Sequence, residues 1–181
     1  MAKKRSQKAT YRVPFRRRRD GTTNYRYRDR LLRSGLPRAV VRRSLRSTSV
    51  QFIEFDPAGD RIIASANALE LKKIGWQGSL SNTGAAYFTG FLAGSRAKSK
   101  KVERAVLDIG LQTPAKGSKV FSALKGVLDA GIDIPHGPDI LPSDQRIKAK
   151  VSDFDGFKQK LLTHKPASAK HAAKPGAKKE G

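Results

Sequence analysis

The residues of this chain that could do chemistry are arginines, and the chemistry is anion recognition. They stand at Arg12, at Arg16, Arg17, Arg18 and Arg19 in a row, at Arg26, Arg28, Arg30 and Arg33, and at Arg38, Arg42, Arg43 and Arg46, beside Ser47. Lys3, Lys4, Arg5 and Lys8 precede them. From residue 3 to residue 46, 17 Lys+Arg meet only two acids, Asp20 and Asp29, so this stretch holds +15 of the chain's +23. Charge packed that densely opposes folding unless a polyanion neutralises it. Tyr11, Phe15, Tyr25 and Tyr27 interleave the arginines and supply rings that can stack on unpaired bases, at ~1–3 kcal/mol each. The planar guanidinium fork suits bidentate contacts to phosphate and guanine. Residues 12–46 therefore read as a nucleic-acid binder rather than as a solvated charge run. Tyr27 has a competing use as a helix contact with Leu31, and Phe15 as an anchor onto the body. With no recognition-helix pattern and no zinc ligands, RNA is favoured over sequence-specific duplex DNA.

Other chemistries fare worse. The chain has no cysteine, which excludes disulfide scaffolds, thiolate zinc sites and cysteine nucleophiles. A metal-dependent nuclease needs carboxylates converging on a cation, and the candidates are Asp56, Asp60, Asp108 and Asp133. The first two flank Asp56-Pro57-Ala58-Gly59-Asp60, where Asp is favoured for turn geometry. Asp108 and Asp133 each fall in a predicted strand and are the pair that could approach each other. His136 reads as a loop residue, and His164 and His171 fall in the tail. Gly-rich phosphate loops are missing, so no cofactor is expected.

The elements that must position the arginines are legible in outline. Residues 1–20 lack apolar periodicity and are expected to be extended or disordered without a partner. A helix over 25–34 follows the capping residues Thr22, Thr23 and Asn24 and ends at Gly35. Strands are predicted over 38–45, 48–55 and 61–66, the last two joined by the Asp56–Asp60 turn into an antiparallel meander. Asn67 caps a helix over 68–74. The Ser81-Asn82-Thr83 cluster caps the longest helix, reaching Ala97, in which Gly84, Gly90 and Gly94 suit close approach to a sheet or to RNA. A fourth strand over 102–109, a helix over 119–130, a fifth strand over 132–135 and a helix over 152–162 complete the body. The order is β-β-β-α-β-α-β: an α/β class with a mixed sheet, helices on its faces and right-handed crossovers in its last two connections.

The charge divides the chain into a basic arm over 1–23, a globular α/β domain over 24–163 and a disordered basic tail over 164–181. Residues 47–163 carry only +4. Residues 74–95 contain no charge, but the helical part, 83–95, would reach only ~20 Å of the ~30 Å of hydrocarbon. A buried helix is expected there, with no membrane partner, and the charged N-terminus is not that of a secretory signal.

Several motifs carry a resemblance. Tyr11-Arg-Val-Pro-Phe-Arg-Arg-Arg-Arg19, Tyr25-Arg-Tyr-Arg-Asp-Arg-Leu-Leu-Arg-Ser-Gly-Leu-Pro-Arg-Ala-Val-Val-Arg43, Asn82-Thr-Gly-Ala-Ala-Tyr-Phe-Thr-Gly90, Ile132-Asp-Ile-Pro-His-Gly137 and Leu141-Pro-Ser143 resemble the L-eighteen ribosomal proteins, in a form that looks archaeal. The resemblance spans roughly residues 8–163. It implies a non-enzymatic constituent of the large ribosomal subunit, in the cytoplasm. Such a protein binds 5S ribosomal RNA and anchors it to the large-subunit RNA in the central protuberance, among neighbouring ribosomal proteins. By position that role falls on Arg12, Arg16 to Arg19, Tyr25 to Arg28, Arg42, Arg43 and Arg46, with the Asn82-Thr83 loop as a second contact. Leu45 departs from the polar residue expected there. The competing reading is a free-standing RNA chaperone or processing factor.

Overall fold

The computed structural model describes residues 12–149, 151 and 153–163. The body is built on a four-stranded sheet, β1 (Arg38–Arg43), β2 (Thr48–Glu54), β3 (Arg61–Asn67) and β4 (Val106–Asp108), in the order β3-β2-β1-β4. β1 pairs antiparallel with β2 and β2 with β3, forming the expected meander, while β4 joins parallel to β1. The sheet is therefore mixed, as its pattern implied.

Strand alternation sends Ala39, Val41, Val50, Phe52, Ala64 and Ala66 to one face, where all are buried. That face carries α4 (Thr83–Ser99), the uncharged stretch of the sequence, whose cap is Asn82 accepting from the Ala85 amide. Twelve of its 17 residues are buried, so it is a core helix covered all round rather than an amphipathic one. None of the helices among the described residues is long and apolar enough to cross a membrane. On the far side of α4 lies α5 (Lys119–Asp129), and the glycines are spent on that contact. A Cβ built on Gly90 would lie 2.0 Å from the Ala123 carbonyl oxygen, and one on Gly126 would lie 2.0 Å from that of Tyr87. The close approach is thus to a second helix, not to the sheet or to RNA.

At the end of this layer α7 (Phe154–Thr163) brings Phe154 and Phe157 onto Phe88, 5.1 and 4.9 Å between ring centroids, with Trp76 5.1 Å from Phe157. The rings lie tilted or edge-on, the arrangement aromatic quadrupoles favour. Tyr87 donates to Asp129 at 2.6 Å across the α4–α5 contact, and burial first, then that carboxylate, pushes its phenol well above the ordinary range.

Other elements differ from expectation. The fourth strand spans three residues instead of the predicted 102–109, and 132–135 forms no strand, only a bridge between Arg104 and Asp133. The reason is competition for backbone groups. The Ala105 amide donates to Asp133 and the Asp133 amide to Glu103, so this segment spends its bonds in one local exchange, and Pro135 has no amide with which to extend it. The second crossover therefore ends in a bridge. The arm is also not extended throughout. Arg16–Arg19 form one helical turn, α1, which the expectation for residues 1–20 missed. Short helical pieces over Pro138–Ile140 and Asp144–Lys148 (α6) were missed too, having too few residues to show a period. α2 (Tyr25–Leu32) and α3 (Ala68–Lys73) fall where their caps put them, Asn67 closing a capping box with Glu70.

Candidate nucleic-acid interface

The face of β1 opposite the core carries Arg38, Val40 and Arg42, and there the arginines are sorted into two groups. The first is a frame. Asp60 takes Arg28 Nη2 at 2.8 Å and Arg38 Nη2 at 2.7 Å; Asp108 takes Arg38 Nη1 at 3.2 Å and Arg42 Nη2 at 3.1 Å. Five side chains alternate in sign, Arg28–Asp60–Arg38–Asp108–Arg42, and link α2 to the β2–β3 turn and to β4. Arg42 also donates to the Asp108 and Val41 carbonyl oxygens, and the Gly110 amide donates to Asp108. Arg38 is only 3% exposed, and a buried cation is tolerable only with such partners. Asp108 is thus a structural counterion, and Asp133 pairs with Arg104 at 3.2 Å. The two carboxylates considered for a nuclease centre serve different arginines. Among the described residues no three His, Asp or Glu gather to hold a metal.

Asp60 feels two opposed effects. Burial disfavours its charge, but hydrogen bonds from Arg38 and Arg28 outweigh that and leave its carboxyl below the usual range. A depressed folded pKa means its stabilisation is present above the unfolded value, ~4, and lost as pH falls through the folded one. Asp60→Asn is therefore expected to lower stability at pH 7 by roughly 1–3 kcal/mol. The deficit relative to wild type should shrink in denaturation curves taken below about pH 4. A pH-independent deficit would remove Asp60 from the frame.

The second group is exposed and lacks a carboxylate partner among the described residues: Arg12, Arg18, Arg19, Arg26, Arg30, Arg43 and Arg46. Arg17 belongs with it, its Nε only donating to Thr23 Oγ1 at 2.9 Å. Arg16 makes a loose contact with Asp20 at 3.7 Å and Arg33 pairs with Asp29 at 2.7 Å, both solvent-exposed and so of little energetic weight. Phe15 is 80% exposed, with Tyr25, 38% exposed, 6.4 Å away between ring centroids. Phe15 therefore does not anchor the arm to the body, and the two rings stand open beside the arginines. Tyr27 is different. It is half-buried, and its hydroxyl donates to the Leu107 carbonyl at 3.4 Å, so it is a helix-to-sheet contact. Ser47 is committed to the β1–β2 turn, accepting from the Ser44 amide at 2.9 Å, while Leu45 beside it is 96% exposed. Lys3, Lys4, Arg5, Lys8 and Tyr11 lie outside the described residues.

Asn82 and Thr83 are not brought into this constellation. They line a separate cleft with Ser79, Ser81, Lys119 and Arg146. Lys119 Nζ donates to Ser81 Oγ at 3.1 Å there. Lys119 and Arg146 escaped sequence reading because each stands alone on a short or amphipathic helix, and only the packing of α4 against α5 gathers them. His136 is fixed by its Nδ1 against the Ile134 carbonyl oxygen, 2.7 Å away.

Comparison with known proteins agrees with this geometry. A family model described as ribosomal large subunit proteins 60S L5 and 50S L18 matches residues 9–103 and 95–137. The large ribosomal subunit protein uL18 of the archaeon Aeropyrum pernix is 57% identical over 141 residues, an alignment covering 77% of this chain and 66% of that protein's length. The match takes in the arginine frame, the exposed arginine row and the whole sheet, and this chain belongs to the family of large-subunit ribosomal proteins that includes 60S L5 and 50S L18.

Proposed function

We propose that this protein is a structural constituent of the large ribosomal subunit that binds 5S ribosomal RNA and anchors it to the large-subunit RNA in the central protuberance. It would act in the cytoplasm, among neighbouring ribosomal proteins. The observation that carries this reading is the division of the arginines. Arg28, Arg38 and Arg42 are neutralised in the frame, while Arg12, Arg17 to Arg19, Arg26, Arg30, Arg43 and Arg46 stay uncompensated beside two open aromatic rings. A frame that consumes its own counterions leaves the remaining cations for phosphate, and the open rings suit unpaired bases. The arm over 1–23 and the body over 24–163 then divide the work, the body supplying rigidity and the arm most of the charge. The tail over 164–181 adds +4.

The test is equilibrium binding of the full chain to a 5S RNA transcript against an unrelated RNA of equal length. If about ten cations neutralise phosphates, affinity should fall as roughly the ninth power of salt, some several-hundredfold per doubling. Preference for 5S RNA should persist across the titration. Equal affinity for both RNAs at every salt concentration would overturn the proposal.

A further inference from the structure

Between the arm and the sheet lies a cleft of about 420 Å³, lined by Arg17, Thr22, Thr23, Asn24, Tyr27, Arg28, Arg38, Arg42, Arg43, Asp108, Ile109, Gly110, Leu111 and Gln112. Its size falls within the ~300–1,000 Å³ typical of small-molecule sites. Two of its cations, Arg17 and Arg43, are exposed and have no carboxylate, whereas Arg28, Arg38 and Arg42 are consumed by Asp60 and Asp108. Tyr27, Ile109 and Leu111 give it apolar wall, and the Tyr27 ring is held by its hydroxyl bond to Leu107. Gln112 is the unexplained residue. Its Nε2 donates to the Val41 carbonyl at 3.1 Å, which fixes the amide's orientation, and its Oε1 is then a buried acceptor with no donor. Such an atom carries a desolvation cost unless a partner supplies an N–H.

We propose that this cleft receives a single unpaired nucleotide of RNA, its base edge donating to Gln112 Oε1 and its phosphates resting on Arg17 and Arg43. The proposal rests on the RNA-binding reading above and adds a base-reading residue to it. The occupant must combine three properties: negative charge for two free guanidiniums, a flat apolar face for Tyr27 and Leu111, and an N–H for the glutamine. Inorganic phosphate and sulfate lack the second and third. A basic peptide is repelled by the first. Every RNA base has a π-face and an N–H donor on its edge, and unpaired bases are what proteins read in RNA.

The experiment is chemical probing of a 5S transcript bound to the full-length chain. Dimethyl sulfate and a carbodiimide report base edges, and hydroxyl radicals report the backbone. At least one unpaired nucleotide should be protected on its base edge by wild-type protein. Gln112→Leu should restore its reactivity fivefold or more while leaving the backbone footprint in place. Arg43→Ser, which removes no side-chain contact within the protein, should weaken protection of that same nucleotide and covers the case in which Gln112→Leu disturbs the fold. A backbone footprint with no base protection that responds to either substitution overturns the cleft assignment alone. Absence of any footprint overturns the RNA-binding reading beneath it.

Discussion

Deleting residues 1–20 is expected to reduce affinity for 5S RNA by on the order of a thousandfold or more near 0.1 M salt, while the body melts where it did before. The deleted segment carries nine Lys+Arg and one acid, Asp20. Each phosphate neutralised adds close to 0.9 to the slope of affinity against salt, and at 0.1 M contributes nearly a factor of ten. Loss of only four such contacts already gives the expected effect, and the slope should become shallower by roughly the same number of contacts. The body should be indifferent because no residue from Arg12 to Asp20 is buried. Its one side-chain bond beyond the segment is that of Arg17 with Thr23, which is exposed. Filter binding gives the affinity and a circular-dichroism melt gives the stability. An unchanged affinity would place recognition elsewhere; a collapsed melt would mean the arm is part of the core.

Gly90→Ala is expected to destabilise the body severely, by about 3 kcal/mol or more, in the opposite sense to helix propensity. In an exposed helix the same change stabilises by ~1 kcal/mol, because glycine has more backbone freedom to lose. At Gly90 a methyl carbon would sit 2.0 Å from the Ala123 carbonyl oxygen and 2.8 Å from its carbonyl carbon. Those are backbone atoms of α5, so no rotamer change relieves the clash and the helices must separate. Overpacking ordinarily costs ~1–3 kcal/mol, and contact with backbone puts this site at or beyond the upper end. For a body of this size that is a fall in Tm of roughly 6–12 °C or more. A variant melting at or above wild type would show that α4 and α5 do not meet through Gly90.

How much of this was readable beforehand depends on the range of the interaction concerned. The meander could be read because β2 alternates from Thr48 to Glu54 and Asp56-Pro57-Ala58-Gly59-Asp60 is a turn on local grounds. The caps at Asn24, Asn67 and Asn82 could be read because a capping side chain reaches only two or three residues along its own chain. The extent of β4 could not, since the apolar run from Ala105 to Ile109 says nothing about which amides Asp133 will occupy. Asp60 is the sharpest case. Its neighbours mark it as a turn residue, yet its carboxylate holds Arg28 from 32 positions away and Arg38 from 22.

Composition and order along the chain settled that the protein is strongly cationic, that the excess sits in its first quarter and that an α/β body with a mixed sheet follows. Charge and periodicity are sums over neighbours and survive without coordinates. Only the tertiary structure decided which arginines are free. Arg28 and Arg26 are indistinguishable as letters; one closes on Asp60 and the other faces solvent because a helix turns ~100° per residue. The same holds for Gly90, Gln112 and Asp108, whose roles are set by atoms that chain folding alone brings within 4 Å.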